Sequence, residues 1–129
     1  MSTINTIDKL GMFNIVVNEI DKVKEFYTSV LGFDIVVENK YGDMHFIKMG
    51  VPGGSAINLV KANKNEKMEP GVMNLYLFTS DINKSYDDIK KKGVNPNNEI
   101  QEQQWDKKVK QFDFNDPDGN QWFFVQFLD

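Results

Sequence analysis

A short apolar strand, a helix ended by glycine and three further strands occur twice in this chain, and that repetition constrains the fold more than any single residue. In the first half, Phe13-Asn14-Ile15-Val16-Val17 reads as a strand. Glu19-Ile20-Asp21 then opens a helix with Val23, Phe26, Tyr27, Val30 and Leu31 at helical spacing, and Gly32 stops it. Strands are expected around Phe33 to Glu38, Met44 to Met49 and Ala56 to Val60, divided by the turns Tyr41-Gly42-Asp43 and Pro52-Gly53-Gly54. After a polar link from Asn63 to Pro70, Met73 to Phe78 reads as a strand and Ser80-Asp81 caps a helix carrying Ile82, Tyr86 and Ile89, which Gly93 stops. Strands near Glu99 to Gln104, Val109 to Phe114 and Gln121 to Phe127 complete the second unit. The pattern predicts an α+β chain of two βαβββ modules, at about 10–62 and 72–128, within a single domain spanning 1–129.

Alternation along four of these strands divides the residues into two faces, because side chains i and i+2 point the same way. One face holds Phe13, Ile15 and Val17, Ile57 and Leu59, Leu75 and Leu77, Trp122 and Phe124, all apolar as packing against a helix requires. The other holds Met12, Asn14 and Val16, Ala56, Asn58 and Val60, Asn74, Tyr76 and Phe78, Phe123 and Val125. Amides and a phenol among aromatics suit a ligand cavity, since a dry core would leave the amides unsatisfied and bare surface would not carry so much apolar area.

The composition excludes several function classes. All fifteen basic residues are Lys and the net charge is -4, so the chain lacks the basic face that nucleic acid needs and the guanidinium fork that grips phosphate. The run Lys90-Lys91-Lys92 reads as a solvated helix C-terminus. There is no Cys, hence no disulfide, thiolate nucleophile or thiolate metal ligand. No window approaches the roughly 18 apolar residues of a membrane span, and Met1 to Lys9 has no signal-peptide apolar run. A cytoplasmic protein with neither a nucleic-acid nor a membrane partner is expected.

Near the C-terminus, Asp116-Pro117-Asp118-Gly119-Asn120 forms a turn: Pro117 fixes φ, Gly119 tolerates positive φ, and the Asx side chains bond their own backbone. The strand it launches is expected to end in an active site. This turn, the paired βαβββ units and the run Ile20-Asp21-Lys22-Val23-Lys24-Glu25-Phe26-Tyr27 leading to Leu31-Gly32-Phe33 resemble the vicinal oxygen chelate superfamily of glyoxalases, extradiol dioxygenases and bleomycin-resistance proteins, over nearly the whole chain. The resemblance implies a cupped mixed sheet with helices on its outer face, and a homodimer whose modules pair within or between chains. It places the metal ligands of metal-dependent members at Met12, Asn58, Asn74 and Phe123. Met is soft, amides are weak donors and Phe cannot coordinate; Phe123 stands where metal-binding relatives carry Glu. Neither a metal nor another cofactor is therefore expected.

The expected function is metal-free binding of a planar aromatic molecule, with the mildly acidic net charge compatible with a cationic one. Met12, Asn14, Asn58, Asn74, Tyr76, Trp105, Phe112 and Phe123 are the candidate ligand-binding residues, and no catalytic residue is assigned. Trp105, in the polar connection Gln103-Gln104-Trp105-Asp106-Lys107-Lys108, is a candidate lid. The alternative is a glyoxalase-like lyase, isomerase or dioxygenase, which requires the single His45 to converge with carboxylates such as Glu38 or Glu102, an arrangement that alternation does not support. A regulatory relic that binds nothing tightly is the third reading.

Overall fold

The computed structural model describes residues 4–63 and 69–128. The chain runs β1 (Phe13–Val17), α1 (Ile20–Ser29), β2 (Asp34–Tyr41), β3 (Met44–Val51), β4 (Ser55–Lys61), β5 (Asn74–Phe78), α2 (Ile82–Lys91), β6 (Gln101–Glu102), β7 (Val109–Asn115) and β8 (Gln121–Phe127). Both βαβββ units are present. Each forms its own four-stranded mixed sheet, ordered β1-β4-β3-β2 in the first and β5-β8-β7-β6 in the second. The short first strand of each module pairs in parallel with its last, which the helical crossover permits, and the remaining pairs are antiparallel. Most of the link between the modules lies outside the described residues, among which no helix is long and apolar enough to cross a membrane.

The helices form where the spacing puts them. α1 buries Ile20, Val23 and Tyr27, and the chain leaves it through Gly32 at φ +74°. α2 starts at Asp81, whose carboxylate accepts the Lys84 amide at 3.1 Å, so the cap read from Ser80-Asp81 falls on the aspartate. The expected strand at Glu99 to Gln104 shrinks to Gln101–Glu102, a frayed edge paired with only two residues of β7.

One core joins the two modules. Ile15, Val17, Ile57 and Leu59 from the first sheet share it with Leu75, Phe114 and Trp122 from the second. Tyr27 of α1 packs edge-on against Trp122 with ring centroids 5.2 Å apart, and Phe26 meets Phe114 at 6.1 Å. Each helix lays one apolar side on this core and keeps its polar side exposed, and the mixed face of each sheet is the one turned away from that core. The two mixed sheets of the expected α+β architecture remain open rather than closing on themselves.

The Asp116–Asn120 turn bolts the modules together. Asp116, buried, accepts hydrogen bonds from the Tyr27 hydroxyl, the Trp122 indole at 3.3 Å and the Asn120 side-chain amide at 3.0 Å, as well as from the backbone of Asp118 and Asn120. Burial and the adjacent carboxylate hold the Tyr27 hydroxyl well above its ordinary pKa, as a permanent donor. Asp118 crosses the other way and accepts the backbone amides of Asn18 (2.9 Å) and Glu19 (3.2 Å), capping α1, which has no cap of its own. Gly71 passes so close that a Cβ there would lie 2.4 Å from the Asp118 carbonyl oxygen. The motif that carries the sequence resemblance is thus a structural clamp between the modules.

Candidate functional site

On the first sheet, Asn14 and Asn58 are direct cross-strand partners on β1 and β4, and Lys48 of β3 faces Asn58 from the other side. The three form a polar row on the outer face, flanked by Met12, Val16, Phe46 and Val60. The Asn58 amide donates to Asn14 Oδ1 at 3.1 Å, while Asn58 Oδ1 is buried without a partner.

On the second sheet, Asn74, Tyr76 and Phe78 of β5 lie beside Gln121, Phe123 and Val125 of β8. Tyr76 stacks on Phe123 with centroids 4.6 Å apart and planes 9° off parallel, yet Tyr76 keeps 58% of its surface exposed. The stacked pair leaves the outer face of the Tyr76 ring open as a stacking surface. Beside it, Asp113 of β7 is buried under amide donors from Asn97 (2.7 Å), Asn98 (3.0 Å) and Gln121 (2.8 Å). This carboxylate, opposite Phe123 in the β7–β8 register, was not among the candidate residues.

Six of the eight candidates therefore occupy the two outer faces: Met12, Asn14 and Asn58 on the first, Asn74, Tyr76 and Phe123 on the second. Two do not. Phe112 is fully buried on the opposite face of β7, between Tyr86 and Phe124, because it alternates with Asp113 and shares its side with Phe114. Trp105 lies in the connection from β6 to β7, 72% exposed, near Gln101 and Gln104, and no contact links it to the Tyr76–Phe123 stack.

A cleft of about 700 Å³ opens between the modules, lined by Leu31, Phe33, Val51, Leu77, Ile89 and Phe124. Tyr76 and Phe78 also line it, so it wraps around the β5 edge from the core side toward the outer face. Its size lies within the range of small-molecule sites.

His45 lies on the helix-facing side of β3, with Ile47 and Met49, and is buried. Its Nε2 is 2.8 Å from Glu38 Oε2, and Glu38 Oε1 accepts from Lys24 of α1 at 2.7 Å. Alternation within single strands gave no support for this convergence; the β2–β3 register and α1 create it. Lys24, and then His45, hold the Glu38 carboxyl below its usual range. Asp21, Glu38 and His45 form, among the described residues, a group whose potential metal-ligating atoms lie within 4.8 Å of one another. The Lys24 ammonium already supplies the positive charge there. Glu102 is far along the chain on β6 and does not join the group.

The metal positions implied by the resemblance do not fit a divalent cation. Phe123 is committed to an aromatic stack, the Asn58 amide nitrogen to Asn14, and Met12 and Asn74 add only a thioether and an amide. A family model described as the Glyoxalase/Bleomycin resistance protein/Dioxygenase superfamily matches residues 9–124. The chain belongs to this superfamily. TnmS3, an antibiotic binding protein from Streptomyces sp. CB03234, has a similar structure at 25% identity, with 95% of this chain and 98% of that one covered and a TM-score of 0.78. A superfamily member from Sphaerobacter thermophilus DSM 20745 is 28% identical over 93% of this chain and 98% of its own, with a TM-score of 0.74. A glyoxalase/bleomycin resistance protein from the same Streptomyces strain is 25% identical over 92% and 100%, with a TM-score of 0.70. No curated protein matches in sequence.

Proposed function

We propose that this superfamily member is a metal-free cytoplasmic binding protein that sequesters a planar aromatic small molecule. The Tyr76–Phe123 stack carries the reading: the exposed Tyr76 ring packs on Phe123, which stands where the resemblance puts the carboxylate ligand of metal-dependent members. The similarity to an antibiotic binding protein supports it. A half-site of polar groups on one sheet and a half-site of rings on the other, both facing outward, call for a second copy, whose outer face supplies the missing half. Phe78, 74% exposed on the β5 edge, and the open β1 edge are surfaces that a homodimer covers. Titration of the intrinsic tryptophan fluorescence with a panel of planar aromatic antibiotics tests the reading; uniformly flat titrations at high micromolar ligand refute it.

A second reading, a lyase, isomerase or dioxygenase of the same superfamily, draws on the convergence of Asp21, Glu38 and His45. The Lys24–Glu38 ion pair opposes it, since a metal ion there has to displace an ammonium. Elemental analysis separates the two: stoichiometric zinc, iron, manganese or nickel favours the enzyme.

A further inference from the structure

On the outer face of the first sheet, two groups lack partners. Asn58 is 8% exposed; its amide nitrogen is engaged but its Oδ1 is buried with none. A buried carbonyl oxygen left in that state costs about 1–3 kcal/mol, so the position selects for something that supplies a donor. Directly across from it stands Lys48, half-buried, with neither an ion pair nor a hydrogen bond among the described residues. Register explains why no carboxylate neutralises it. Glu38 and Lys40 of β2 sit opposite Ile47 and His45, on the helix-facing side, and the outward carboxylate of Asp34, opposite Gly50 at the start of β2, makes no ion pair with Lys48. Facing Lys48 and Asn58 are otherwise Val37, Asn14 and the flanking apolar side chains. On the second sheet, the outward carboxylate of Asp113 is enclosed by the amides of Asn97, Asn98 and Gln121.

We propose that Lys48, Asn58 and Asn14 form an anion subsite of the binding face, and that the ligand is a planar aromatic acid whose carboxylate or phenolate oxygen seats on Lys48 while its ring lies against the Tyr76–Phe123 stack of a second copy of the chain. This inference rests on the sequestration reading and fixes the charge of its ligand. An ammonium has three donors: one turned onto Asn58 Oδ1 satisfies the orphaned acceptor and leaves the others for the ligand oxygen. Asn58 is then a positioning residue for Lys48, and the exposed Asn14 amide nitrogen donates to the second oxygen of a carboxylate. The site thereby disfavours the cationic ligand that the net charge of the whole chain suggested, because a local unpaired ammonium outweighs a diffuse excess of surface carboxylates screened by salt.

Isothermal titration with three naphthalene probes tests this: 3-hydroxy-2-naphthoate, neutral 2-naphthamide and 2-naphthylmethylammonium. The anion is expected to bind at least tenfold more tightly than the amide, and the cation most weakly. Lys48→Met is expected to abolish the tenfold preference for naphthoate over the amide. Asn58→Asp is expected to do the same with Lys48 retained, by tying the ammonium to a carboxylate; circular dichroism verifies that both variants fold. Binding of all three probes without charge order, or a preference for naphthoate that survives Lys48→Met, overturns the anion subsite and leaves the sequestration reading standing. Failure of all three to bind overturns both.

Discussion

Removing the Tyr27 hydroxyl tests whether the Asp116 turn is the bolt between the modules. Tyr27→Phe keeps the ring against Phe33 and Trp122, so packing is nearly unchanged and the lost quantity is one hydrogen bond to a buried carboxylate. Hydrogen bonds to charged groups contribute about 1.5–3 kcal/mol. Asp116 retains the indole and amide donors of Trp122 and Asn120, so the loss falls within that range rather than above it. For a domain of this size, a shift of about 4 °C per kcal/mol gives a fall in Tm of roughly 6–12 °C, read by thermal unfolding with circular dichroism. Asp116→Ala is far worse. It strands the Tyr27 hydroxyl, the indole N–H and the Asn120 amide together, at about 1–3 kcal/mol each, against a total stability of about 5–15 kcal/mol. The raised pKa of Tyr27 adds an alkaline signature. Above the unfolded value near 10, the unfolded chain loses a proton that the folded one keeps, so stability falls by about 1.4 kcal/mol per pH unit from this group, and Tyr27→Phe removes that component. A Tyr27→Phe protein within about 0.5 kcal/mol of the parent, with an unchanged alkaline limb, refutes the bolt.

Further predictions follow the same logic. Gly71→Ala, which combines φ +78° with a Cβ 2.4 Å from the Asp118 carbonyl oxygen, is expected to cost more than about 2 kcal/mol in urea unfolding, whereas an alanine at Gly53, where nothing lies within 4 Å, is expected to cost less. Tyr76→Ala is expected to leave the core intact and stability within about 1 kcal/mol, while weakening a planar aromatic ligand by about ten- to a hundredfold in fluorescence titration. Glu38, held below its usual pKa by Lys24 and His45, contributes stability that is present above the unfolded carboxylate value and lost as pH falls through the folded one; Glu38→Gln is expected to flatten that acid limb in a pH series of unfolding midpoints.

Period-2 alternation was enough to read both modules and the two outer faces, because each face of a half-buried strand keeps its own chemistry. Asn14, Asn58, Tyr76 and Phe123 are legible for that reason. Phe112 is legible too: it alternates with Asp113, shares a face of β7 with Phe114 and pairs with Phe124, which places it in the core. Lys48 is the counterpart on β3, where alternation with Ile47 and Met49 sends it outward and sends His45 inward. What no single strand encodes is the register between strands. It brings Glu38 to His45 and sets Lys48 against Asn58. Nor does the sequence reveal that the Asp116 turn reaches Tyr27 and the start of α1 some hundred residues away, since that contact exists only once both helix faces share a core.

The central claim is tested most directly by native mass spectrometry of the freshly purified protein, alone and with saturating 3-hydroxy-2-naphthoate. A dimer free of metal that takes up two ligand molecules is the predicted result. A monomer that binds no ligand, or one metal ion per subunit, contradicts it.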